Sequence, residues 1–171
     1  MMVSSATAPG QVAPGELESV RTLLNTWLIP NESRHPTDVF SQLAAERGWS
    51  RREADRVRLL RDDVRAVVES GDTDRLNRWI GELQIRVVLR DGHLTFPHRG
   101  GAAGEVLVVV LGAIEDGTWP RLKACPDCRW VFYDSTRNAS KRWCLMYAGG
   151  PDGRACGTIA KVRRYRARQA C

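Results

Sequence analysis

Five cysteines occur in this chain of 171 residues, and all of them lie after residue 124. Four fall as Cys125-x2-Cys128, fifteen residues, Cys144, eleven residues, Cys156. A C-x2-C pair sits in a tight turn that can aim two sulfurs at one tetrahedral cation, with Zn–S distances of about 2.3 Å. A second pair from a distant segment completes the set. Four thiolates leave no open position for a water nucleophile, so the expected site holds one structural zinc through Cys125, Cys128, Cys144 and Cys156. Two alternatives remain at this level: Cys171 as a competing ligand, and a redox pair formed by Cys125 and Cys128.

The charge follows the cysteines. From Trp119 to Cys171 there are twelve Lys or Arg and three Asp, a balance of +9, whereas the preceding residues carry fourteen basic and seventeen acidic groups, a balance of −3. Such asymmetry points to a polyanionic partner on one side of the molecule. On a helix following Cys156, Ile159, Val162 and Tyr165 share one side, expected to pack on the metal module. Lys161, Arg164 and Arg168 cluster opposite, with Arg163 flanking and Arg166 near the apolar stripe. Arginine suits phosphate because its planar fork binds two oxygens at once. Arg137, Lys141 and Arg142, between the cysteine pairs, extend this candidate nucleic-acid surface. Trp130, Phe132 and Trp143 are expected to cluster beside the metal, and Asp134 and Asn138 suit a turn at the tip. A module of about 50 residues buries little surface, and zinc supplies the missing stability.

The elements that must carry this module are mainly helical. Residues 1–15, rich in Ala, Pro, Gly and Ser, read as a disordered tail without the basic and apolar regions of a secretory signal. Glu16 to Leu28 has apolar residues at helical spacing and should stop before Pro30. A second helix is expected over Thr37 to Arg47, capped by Thr37. Ser50 and Glu53 form a capping box for a helix to about Glu69, whose Arg- and Asp-rich face reads as solvated. Asp72 or Thr73 caps a shorter helix through Trp79. Leu83 to Leu89 and His93 to Phe96 read as strands around an Asp91-Gly92 hairpin turn. An apolar, buried helix follows, starting at Ala102 or Glu105 and running to about Glu115. Its glycine-rich approach, Gly100 to Gly104, reads as a turn in preference to an anion site.

The expected architecture is thus mainly α with a short β-hairpin (α+β). It comprises a helical domain over 16–118 and a small zinc-ribbon-like module over 119–171 ending in a basic helix. No apolar run is long enough to span a bilayer. His35, His93 and His98 are scattered, and no nucleophile–base pair stands out, so the chain does not read as an enzyme.

Cys125, Cys128, Trp130, Phe132, Asp134, Thr136, Asn138, Trp143, Cys144, Cys156 and Gly157 follow a pattern that resembles the CGNR zinc-finger family. Two departures stand out: Thr158-Ile159 replaces the Asn-Arg of that family, and about seven extra residues around Ala148 to Arg154 lengthen the loop before Cys156. Leu24-Asn25-Thr26 resembles the opening of the ABATE region that commonly accompanies this finger. The resemblance implies a stress-related transcriptional regulator, with nucleic-acid binding assigned to the zinc module. Clustered cysteines without a secretory signal suit a cytoplasmic protein. The basic charge on a metal-stapled helix leads to the first reading, a regulator that binds DNA through the zinc module while the N-terminal domain senses a small-molecule effector or forms a homodimer. RNA binding, with Trp130, Tyr133 or Tyr165 stacking on bases, and a protein-interaction scaffold are the alternative readings.

Overall fold

The computed structural model describes residues 11–30, 33–144 and 155–169. Of the expected tail, residues 1–10 lie outside this set, as do the loop inserted at 148–154 and Cys171. Gln11 and Ala13, by contrast, are buried.

The helices are α1 (Leu17–Leu24), α2 (Phe40–Glu46), α3 (Arg51–Ser70), α4 (Asp74–Glu82), α5 (Gly101–Glu115) and α6 (Cys156–Gln169). Three antiparallel pairs join them: β1 (Trp27–Leu28) with β2 (Thr37–Asp38), β3 (Val88–Arg90) with β4 (His93–Thr95), and β5 (Leu122–Ala124) with β6 (Val131–Tyr133). The expected α+β architecture is the observed one.

α3 is the spine. Its capping box forms as expected, with Ser50 Oγ accepting from Glu53 N and Glu53 Oε2 accepting from Ser50 N. Gly71 closes it in the left-handed conformation at φ 77°. Val57, Leu60, Val64 and Val67 recur every three or four residues and are all buried. They face Leu107 and Val110 of α5, Leu24 of α1, and Leu122 and Val131 of the β5–β6 hairpin, in one continuous core. Asp63, on another face of α3, holds α4 by accepting from Trp79 Nε1, Arg75 and Arg78.

Three expectations change. α1 ends at Leu24, not Leu28, because Arg65 Nη1 takes the carbonyls of Leu24 and Trp27, and Trp27–Leu28 turns into β1. α2 starts at Phe40 without a Thr37 cap. Thr37 belongs to β2, and Asp38 Oδ1 accepts from Phe40 N instead. The β3 strand is confined to Val88–Arg90, since Leu83 is buried in the core at the end of α4. The Asp91-Gly92 turn is present with both φ values positive, 50° and 81°.

α5 begins at Gly101, so Gly101 to Gly104, expected as a turn, form the first turn of the helix, and they pack tightly there. A Cβ on Gly104 would lie 2.1 Å from His98 Nδ1, and one on Gly100 would lie 2.7 Å from Leu83 Cδ2. His98 packs against Gly104, and its Nδ1 accepts from Gly100 N at 3.3 Å. Among the described residues, no helix is long and apolar enough to cross a membrane.

Candidate metal centre

The β5–β6 hairpin carries the first two cysteines at its tip. Cys125 N donates to Trp130 O and Arg129 N to Cys125 O, both at 2.9 Å, which folds residues 125–130 into a knuckle. Arg129 takes φ 62° to close it. Cys144 returns from the loop beyond β6, and Cys156 is the first residue of α6. Period-two alternation splits the duties of β6. Val131 and Tyr133 join the helical core, whereas Phe132, with no exposure, joins the cysteines, flanked by Trp130 and Trp143. The aromatic cluster expected beside the metal is therefore present.

All four cysteines are buried, with their Sγ atoms within 4.8 Å of one another. Cys128 and Cys144 Sγ are 3.4 Å apart, and Cys144 and Cys156 Sγ 3.8 Å. Four sulfurs about 2.3 Å from a tetrahedral ion lie about 3.8 Å from each other, so the spacing fits zinc. Four sulfurs this close and this buried compete for protons, and a divalent cation removes the competition by replacing them. The N-terminus of α6, at Cys156, adds its positive dipole end to the thiolate cluster.

The loop after β6 is organised by Asp134, which is fully buried and makes the expected turn, its Oδ1 accepting from Thr136 N two residues on, with Ala139 N donating to Thr136 O around Asn138. Its carboxylate accepts from Lys123 Nζ (2.8 Å), Thr136 N (3.1 Å), Thr136 Oγ1 (2.5 Å) and Lys141 N (2.7 Å). Burial raises its pKa, but the Lys123, Thr136 and Lys141 contacts outweigh that and bring it to about 2. Lys123 Nζ also donates to the Ala139 and Lys141 carbonyls. Asn138 is exposed.

The helical domain holds the knuckle from the other side. Four successive or near-successive carbonyls of the zinc turn accept from it. Asp127 O takes Arg34 Nη2 (3.0 Å), Cys128 O takes Ile29 N (3.2 Å), Arg129 O takes Arg65 Nη2 (2.9 Å), and Val131 O takes Asn25 Nδ2 (2.8 Å). Asn25 Oδ1 accepts from Val131 N at 2.8 Å, so its amide pairs with β6 as a strand residue would. Gln11 closes the far edge by donating to Cys144 O and accepting from Tyr133 N.

Residues 121–169 match the family model of the CGNR zinc finger. This segment is a CGNR zinc finger. Comparison with curated proteins and with solved structures finds no match. One structural zinc is the cofactor of the CGNR finger, held by Cys125, Cys128, Cys144 and Cys156.

The contacts that seat the CGNR finger include residues the sequence reading did not single out. Arg61 and Arg65 belong to the α3 face expected to be solvated, yet they are 2% and 6% exposed. Arg61 binds both Asp38 oxygens (2.8 and 2.9 Å), Asp62 and Thr26 Oγ1. Burial raises the Asp38 pKa, but the Arg61 bonds, the Phe40 N–H and the charges of Arg61 and Arg58 bring it to about 2. The i,i+4 spacing of Arg61 and Arg65 was visible. What it lacked was any sign that carbonyls would face them. Leu24-Asn25-Thr26 did stand out, as a family resemblance without a physical role.

The candidate nucleic-acid residues divide into two places. Arg137 and Arg142 are exposed on the loop around Asp134, and Lys141 lies with its Nζ 5.5 Å from the Phe132 ring. Lys161, Arg163, Arg164 and Arg168 are exposed on α6. Here the CGNR finger departs from expectation. Val162 and Tyr165 do not pack on the metal module but are 43% and 64% exposed. Every residue from 161 to 169 is exposed, and α6 is anchored through its first turn.

Proposed function

We propose that this protein is a DNA-binding transcriptional regulator that presents α6 to duplex DNA from the zinc-stapled finger. The observation that carries this reading is the composition of the free part of α6. Residues 161–169 include five Lys or Arg and no Asp or Glu, on a helix whose first residue is a zinc ligand. A rigid base and a basic projecting helix are what phosphate neutralisation requires. On this reading the chain acts by binding and not by catalysis. The helical domain is ABATE-like and serves as the regulatory part. Support for a small-molecule effector comes from a cleft of about 330 Å³ between α1, α2 and α5. Leu23, Leu43, Trp49 and Val106 contribute its apolar surface, with Glu16 and Glu105 at its rim. Support for pairing of two copies comes from the β3–β4 hairpin, where Val87, Leu89 and Leu94 are exposed.

The test is a fluorescence-anisotropy titration of the zinc-loaded full chain with duplex DNA, from about 50 to about 200 mM salt. Affinity should fall log-linearly with salt, by about 0.9 in slope per phosphate contacted. Flat, salt-independent or absent binding defeats the reading. Tighter salt-dependent binding to single-stranded RNA would favour the RNA alternative.

A further inference from the structure

We propose that α6 divides its labour by face, with Val162, Tyr165 and Gln169 reading base edges in the major groove while the flanking cations grip phosphate. This rests on the DNA-binding reading above and adds to it the surface that confers sequence preference.

The argument starts from which side of α6 is turned inward. At 3.6 residues per turn, Cys156, Ala160 and Arg163 share one side. Cys156 is buried, Ala160 is half-buried, and Arg163 Nη1 lies 3.5 Å from Asp127 Oδ1 in the zinc turn. That side faces the metal module. Val162, Tyr165 and Gln169, spaced three and four apart, fall on the opposite side. They point away from the zinc, and no described residue covers them. Lys161 and Arg168 flank this stripe on one edge and Arg166 on the other, by the same helical geometry.

Among the described residues, nothing packs on this uncharged stripe between two cationic edges. Its chemistry matches a groove floor between two phosphate walls. An α-helix about 10–12 Å across fits the major groove, which is about 12 Å wide. Each stripe residue has a base-edge partner. Val162 offers an apolar contact for a thymine methyl, and the Gln169 amide can pair with adenine N6 and N7. Gln169 Nε2 donates to Tyr165 Oη at 2.9 Å. That bond occupies an acceptor position on the phenol and leaves its own hydrogen free to donate to a base acceptor. Charge complementarity selects a polyanion as the occupant, because α6 carries no acidic residue, and the match of helix to groove width makes that polyanion duplex DNA.

The experiment selects preferred sites for the zinc-loaded full chain from a pool of short randomised duplexes, then measures affinity for the selected site and for scrambled duplex. Tyr165→Ala and Gln169→Ala should each reduce the ratio of selected to scrambled affinity by about tenfold. Affinity for scrambled duplex and the salt slope should stay as in the parent. Tyr165→Phe, which keeps the ring and loses the hydroxyl, should retain part of the preference. Arg168→Ala and Lys161→Ala should instead weaken both duplexes alike and lower the salt slope by about one each. Zinc content and helical circular dichroism verify that each variant is folded. The inference is overturned if Tyr165→Ala and Gln169→Ala leave the ratio untouched, or if the parent prefers single strands. Failure of the parent to bind any duplex with salt sensitivity would instead defeat the DNA-binding reading itself.

Discussion

The zinc knuckle and α6 are adjacent in the finger and are built on opposite principles. The knuckle is clamped on every side: four sulfurs at its centre, Asp134 and Lys123 on the loop, and donors from Arg34, Ile29, Arg65 and Asn25 on its carbonyls. α6 is fastened at Cys156 and exposed from residue 161 onward. Stability is therefore concentrated where the proposed recognition is not. Substitutions should separate along that line, with large losses of folding at the knuckle and small ones on α6.

The largest effect should follow loss of the metal. Zinc sites of this kind supply roughly 10–16 kcal/mol of apparent folding free energy. Chelation, or Cys128→Ser, should abolish the finger's near-ultraviolet circular dichroism signal and detach α6. Far-ultraviolet spectra should retain most of the helix from α3 and α5. If the finger signal survives complete zinc removal, the knuckle is held by the helical domain alone.

Next is Arg65→Ala. It removes a nearly buried guanidinium and strips partners from the carbonyls of Leu24, Trp27 and Arg129 at once. Breaking a buried charged network of this type costs about 3–5 kcal/mol, and urea unfolding of the zinc-loaded chain should register it. Because Arg65 reaches the residue after Cys128, the same variant should also release zinc faster to a chromogenic chelator. Normal zinc release with lowered stability would mean that the two sides of the clamp act independently.

Asn25→Ala should come third, at about 1–3 kcal/mol, since it leaves Val131 N–H buried without its partner and Val131 C=O with Arg21 Nη1 alone. A smaller, pH-confined effect is expected from Asp38. Its folded pKa of about 2 lies below the unfolded value. The stabilisation from its pairing with Arg61 is therefore complete above that unfolded value and is lost as pH falls toward 2. Asp38→Asn should remove this acid-side slope, as followed by denaturant unfolding against pH. At the far end of the scale, Val162→Ala should change stability by no more than about 0.5 kcal/mol. A larger loss would show that α6 packs on something in the folded protein.

Several elements were legible because their signals are local. The capping box at Ser50 and Glu53, the left-handed stop at Gly71 and the Asp91-Gly92 turn each depend on backbone chemistry within a few residues. The ends of α1 and α2 were not, because distant groups decide them. Arg65 takes the carbonyls that α1 would need to continue, and Asp38 caps α2 where Thr37 was expected to. The α3 face illustrates the same limit, for the same Arg-rich pattern serves a solvated helix and a buried clamp equally well.

By itself the sequence determined the metal centre, since thiolate chemistry and C-x2-C geometry admit few other uses and the ligand spacing is written along one short stretch. Tertiary structure alone decided which side of α6 faces inward. An apolar stripe on a helix is buried only where another surface meets it. Here the chain enters the helix at Cys156 with the ligand's own side toward the zinc, which turns Val162 and Tyr165 outward. Periodicity reports that a helix has faces. Only the position of its anchor says which face meets the protein.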